Sequence, residues 1–140
     1  MARYLAIDYG HKRCGLAVSD PTFLIAQKLK TVQFISLQKF ITELRKIIEE
    51  YQISKIILGL PLNLKGEDSE KTREVRRIAG KLTTELTIPV ILFDERFSTS
   101  RAEQVLQMLG KKPSRSREYI DQLAAQDILQ TYLDQEKSRE

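Results

Sequence analysis

Apolar positions along this chain fall into two rhythms, an alternation by two and a stepping by three and four. Arg3–Asp8 and Cys14–Ser19 are short apolar segments joined by a loop with Gly10, which predicts two paired strands. Lys28–Phe34 predicts a third. Ser36 then stands as a helix cap before Leu37, Phe40, Ile41, Leu44, Ile47, Ile48 and Tyr51, whose gaps mark one buried helical face. Lys55–Leu60 is an apolar strand stopped by Pro61, and residues 63–68 read as a loop. A second helix turns Val75, Ile78, Ala79, Leu82 and Leu86 inward, with Arg73, Arg76, Arg77 and Lys81 mostly outward. Pro89–Phe93 is a further strand, ending in Asp94-Glu95-Arg96.

Beyond it, Ser100 and Glu103 have capping-box spacing and open a short helix that Gly110 ends. Residues 111–117, KKPSRSR, form a basic loop, and a last helix runs from about Glu118 past Leu133. This order predicts an α/β fold on a five-stranded mixed sheet. The first three strands form an antiparallel meander, two parallel αβ units follow, and helices cover both faces. At 140 residues, without repeats or a linker, one domain over residues 1–140 is expected.

Open sheets of this kind build their sites at the carboxyl ends of parallel strands. Asp8 and Glu95 both stand at such ends. Asp94 and Glu95 are neighbours on a strand and point to opposite faces, so one joins Asp8 and the other serves as a cap or salt-bridge partner. In the last helix, Asp127 and Asp134 share the polar half with Gln122, Gln126 and Gln130. Asp121 instead falls among Ile120, Ala124, Ala125 and Ile128, where a carboxylate is costly unless paired or coordinating. Three such carboxylates suit two-metal cleavage of a phosphodiester.

Composition narrows the cation. A single histidine, His11, excludes a multi-histidine metal site, and oxygen ligands select hard ions, Mg²⁺ or Mn²⁺. The lone Cys14 lies in an apolar alternation and is expected to be a buried strand residue. No apolar run has membrane-spanning length and the N-terminus lacks a signal-peptide pattern, so a cytoplasmic protein is expected. The net charge of +4 permits a polyanionic partner.

Four stretches resemble the YqgF/RuvX family of RNase H-like proteins. They are residues 7–20 (IDYGHKRCGLAVSD), 59–63 (GLPLN), 94–99 (DERFST) and 120–125 (IDQLAA), in family order and spacing; Cys14 and Phe97 are small departures. The resemblance implies an RNase H-like fold and a metal-dependent nuclease site at Asp8, Glu95 and Asp121. It implies one of two substrates, precursor 16S rRNA cut at its 5′ end or a four-way DNA junction. The rRNA reading is preferred, with pre-ribosomal particles as partners. Nothing advertises the dimer interface that a junction resolvase needs, so a monomer or weak homodimer is expected.

Lys12, Arg13, Asn63 and Arg96 gather at strand ends as candidate substrate contacts. Lys111, Lys112 and Arg115 offer a phosphate-tracking loop, or an inert connector. Two other functions compete. A sugar-kinase-like ATPase would need a second, duplicated domain and phosphate-binding glycines that this chain lacks. A non-catalytic RNA-binding assembly factor would have little use for a buried acidic trio, which repels phosphate unless metal intervenes.

Overall fold

The computed structural model describes residues 2–97 and 117–139, with side chains described for 2–96 and 123–139. Among them are five strands: β1 (Arg3–Asp8), β2 (Arg13–Ser19), β3 (Ala26–Gln33), β4 (Ile53–Leu60) and β5 (Val90–Asp94). The helices among the described residues are α1 (Leu37–Tyr51), α2 (Glu70–Glu85) and α3 (Arg117–Ser138), and a 3₁₀ turn covers Glu95–Phe97. The expected Ser100–Gly110 helix and the basic loop with Lys111, Lys112 and Arg115 lie outside the described residues.

The strands order as β3-β2-β1-β4-β5. The β1–β2 and β2–β3 pairs are antiparallel, while β1–β4 and β4–β5 are parallel. This is the meander followed by two parallel units that the hydrophobic pattern predicts. Side-chain alternation then sorts the core into two layers. Leu5, Ile7, Leu16, Val18, Ile56 and Leu58 face α1 and α2, meeting Phe40, Leu44, Val75 and Leu82. Ala6, Ala17, Ala26, Ile57 and Phe93 face α3, meeting Ala125, Ile128, Leu129 and Leu133. Alanines on both sides of this second layer let α3 lie close on the sheet. Buried on both faces, β4 reads as a nearly unbroken apolar run.

Ser36 caps α1 by accepting from the Lys39 N–H. In α2 the cap is Ser69, in a reciprocal capping box with Thr72. The third strand begins two residues earlier than its apolar content suggests. Ala26 pairs with Ser19, its N–H donates to Gln130 Oε1 of α3 at 2.8 Å, and its carbonyl accepts from Gln126 Nε2 at 3.0 Å. Cys14 is buried, as its alternation predicts. Asp134 is exposed, whereas Asp127 is half-buried. No helix among the described residues is long and apolar enough to cross a membrane.

Candidate active site

Asp8 ends β1 on the face that Ala6 presents to α3. Its partner in β2 is Gly15. On the other side Ile7 is level with Leu58 of β4, so the next residues, Asp8 and Gly59, are neighbours. Asp8 therefore stands between two glycines on one sheet face. Neither contributes a side chain to the space around its carboxylate.

That space is used by Glu95. A Cβ on Gly59 would collide with Glu95 Oε1 and with Ile128 Cδ1 of α3. The carboxylate of Glu95 therefore lies over Gly59, between β4 and α3, beside the strand that carries Asp8. A glycine inside a strand marks close approach by another group, and here that group is a carboxylate.

Its neighbour Asp94, the last residue of β5, points the other way, because Phe93 before it faces α3. Glu95 itself opens the 3₁₀ turn and is not on the strand as the sequence suggested. Asp94 takes Arg96 in a forked ion pair, with Nη2 donating to Oδ2 at 2.7 Å and Nε at 3.0 Å. The Arg96 guanidinium, by its hydrogen bonds and charge, and the Arg96 N–H hold the Asp94 carboxyl below its ordinary range against the opposing effect of burial. Arg96 in turn packs on Gly66, whose φ of +82° belongs to the left-handed region. The pair straddles Glu95 and fixes the turn that aims it.

The other proposed contacts vary in their commitments. Lys12 is exposed at the β1–β2 hairpin and Arg13 is half-buried where β2 begins. Asn63 spends its side-chain oxygen on the loop after β4, accepting from the N–H groups of Lys65 (3.0 Å) and Glu67 (2.9 Å). Asp121 lies in α3, seven residues and two turns before Ile128, on the helical stripe that includes Ala124 and Ala125. Its side chain is outside the described set, and among the described residues no group of three His, Cys, Asp or Glu is placed to share an ion.

Sequence patterning did not anticipate the service of Gly59, although a glycine before Leu60-Pro61 in an apolar strand is a legible sign. Nor did it anticipate Tyr9, on the opposite face from Asp8. Its hydroxyl donates to Glu74 Oε1 of α2 at 2.9 Å, and Glu74 Oε2 lies 3.4 Å from His11 Nε2. Burial, and then the Glu74 hydrogen bond and charge, push the Tyr9 phenol above its ordinary value.

The fold has solved counterparts. A Thermus thermophilus RuvC structure, in complex with a Holliday junction substrate, superposes with a TM-score of 0.61 at 14% identity, covering 99% of this chain and 97% of that one. A second T. thermophilus RuvC structure gives 0.58, at 14% identity over 97% of this chain and 96% of that one. The architecture is RNase H-like, with two carboxylates brought to one end of the sheet.

A family model described as "RuvX: Holliday junction resolvase" matches residues 2–135, and the chain belongs to that family. A protein of Dictyoglomus turgidum named "Putative pre-16S rRNA nuclease" is 42% identical over 133 residues, 94% of each chain. A Chloroflexus aurantiacus protein of the same name is 40% identical over 134 residues, 96% of this chain and 88% of its own. The chain is accordingly a nuclease, a hydrolase of ester bonds that acts on nucleic acid.

Proposed function

We propose that Asp8, Glu95 and Asp121 together hold divalent metal, Mg²⁺ or Mn²⁺, against a phosphate of precursor 16S rRNA and so cut near its 5′ end. The observation that carries this is the gap at Gly59, which seats the Glu95 carboxylate beside Asp8. Two carboxylates on one sheet face add their negative charge, and that charge attracts a cation. Their hard oxygen donors fit Mg²⁺ or Mn²⁺, and no histidine is required.

Asp121 completes the set from α3. Seven residues separate it from Ile128, which touches the Gly59 site, and that spacing returns the helix to the same stripe. The bound cations would neutralise charge on the phosphate and activate a water in the cleavage. Lys12 and Arg13, on the adjoining hairpin, meet the phosphates on either side. Arg96 acts chiefly by holding the turn beneath Glu95, because Asp94 already takes its fork. Lys111, Lys112 and Arg115 extend the phosphate contacts. The protein works in the cytoplasm on pre-ribosomal particles, as a monomer or weak dimer.

Asp8→Asn tests the reading. It is expected to fold and bind RNA normally yet lose cleavage in Mg²⁺ and Mn²⁺; retained cleavage would place the active site elsewhere. A second substrate, the four-way DNA junction, is favoured by the likeness to RuvC. Depletion of the protein in cells separates the two. Accumulated 16S precursor with extended 5′ ends and normal recombination supports rRNA, and the reverse phenotype supports the junction.

A further inference from the structure

On the side of β1 away from Asp8, the chain forms a polar groove between the β1–β2 hairpin and α2. His11, Glu70, Arg73, Glu74 and Arg77 line it. The hairpin wall is fixed to the helix, because Tyr9 and His11 both engage Glu74, one at each carboxylate oxygen. The charge of Glu74 is thereby turned toward the hairpin.

The arginines of α2 divide into two kinds. Arg76 forms a forked pair with Asp68, through Nε at 2.9 Å and Nη2 at 3.1 Å. Arg73 and Arg77 are exposed and, among the described residues, make no hydrogen bond or ion pair. They stand one turn apart on the same helix face, with Cβ atoms about 5–6 Å from each other. Two forked donors at that interval, along one wall of an open groove, suit successive phosphates of a single strand.

Asp8 and Tyr9 are consecutive and point to opposite faces. A strand crossing the carboxyl edge of the sheet at Asp8 therefore passes Lys12 at the hairpin tip and enters this groove. We propose that Arg73 and Arg77 bind the phosphodiester backbone of the substrate on the far side of the β1–β2 hairpin from the cleaved bond. The proposal rests on the nuclease reading of Asp8 and Glu95. It adds a lane, on the other face, that sets affinity rather than chemistry.

Binding of a fluorescent single-stranded RNA to the Asp8→Asn protein, titrated across salt concentrations, tests it. Arg73→Gln with Arg77→Gln is expected to weaken binding about 10-fold at low salt. The log–log salt slope should become shallower by roughly 1.4, two phosphate contacts at about 0.7 each. The same pair in the otherwise native chain should raise KM and leave kcat unchanged. Lys39→Gln with Lys46→Gln, two exposed charges on α1, should leave the slope as it was. An unchanged slope in the arginine variant, or an equal change in the α1 variant, overturns the lane. Absence of RNA binding by the parent protein overturns the lane and the RNA substrate together.

Discussion

Gly59 shows how one missing side chain can define a site. Alanine there would need the space that Glu95 Oε1 and Ile128 Cδ1 occupy. Gly59→Ala is expected to cost about 1–3 kcal/mol of stability through overpacking and to weaken divalent-cation binding. Calorimetric melting and Mn²⁺ titration check both, and wild-type values in each would show that the gap has no role. Gly80 gives the opposite case. It lies inside α2, exposed, with nothing within 4 Å of an added Cβ, so Gly80→Ala should stabilise by about 0.5–1 kcal/mol in denaturant titrations.

Asp20 and Asp94 predict the acid limb of stability. Asp20 accepts from the Thr22 hydroxyl and from the N–H groups of Ile25 (2.8 Å) and Leu24 (2.9 Å), which hold its carboxyl below the ordinary range. Arg96 does the same for Asp94. Depressed values mean that both stabilise fully above the unfolded aspartate value of about 3.9, and that this is lost as pH falls through the lower folded values. Asp94→Asn should therefore lower the melting temperature at pH 7 and narrow the gap between pH 7 and pH 3. An undiminished gap would contradict the assignment. Asp8 and Glu95 were legible as carboxylates at strand ends, and so was the division of Asp94 and Glu95 into different roles, although Glu95 takes its direction from the 3₁₀ turn beyond β5 and not from the strand. The Arg96–Asp94 pair itself was not legible. An arginine beside a carboxylate reads equally as a substrate contact until the turn geometry is known.

Among the elements, α3 depends on small residues and on two ends. At the foot of the sheet Lys55 Nζ donates to the Tyr132 hydroxyl at 2.9 Å and to Glu136 at 3.2 Å, and lies over the Tyr4 ring. Burial pulls this ammonium down, but the hydrogen bonds outweigh it and leave Lys55 above its ordinary value. At the flank, Gln126 and Gln130 hold the start of β3 and the turn before it. Gln130→Leu leaves the buried Ala26 N–H without its acceptor and should cost about 1–3 kcal/mol. Hydrogen exchange at Ala26 should accelerate while exchange in β1 and β4 stays slow; uniform acceleration would contradict a local role. Helical period placed these glutamines on the polar half of α3 and stopped there. Which solvent-side groups meet a neighbouring edge strand is set by tertiary packing, which a one-dimensional period does not encode. The strands and helices before Glu95 were legible because burial imposes period two or period 3.6 on them, and Ser36 was legible as a cap ahead of its apolar stripe. Ser69 was not, because its partner in the capping box is Thr72 rather than an acidic residue.

The assembled sheet explains how Asp8 and Glu95, far apart in sequence, reach the same end of it. Parallel pairing of β1, β4 and β5 aligns their carboxyl ends, and the alanine-lined face admits α3 close enough for Ile128 to touch the Gly59 site. The antiparallel meander and the two parallel units were predictable from the succession of elements. The spacing between carboxylates was not, because it depends on Gly15 and Gly59 standing level with Asp8. The most direct measurement is a crystal of the protein grown with Mn²⁺, with anomalous scattering used to locate the ion. Density ligated by Asp8, Glu95 and Asp121 is predicted at the carboxyl end of β1. Manganese bound elsewhere, or Asp121 turned away from Asp8 and Glu95 with the ion present, would contradict it.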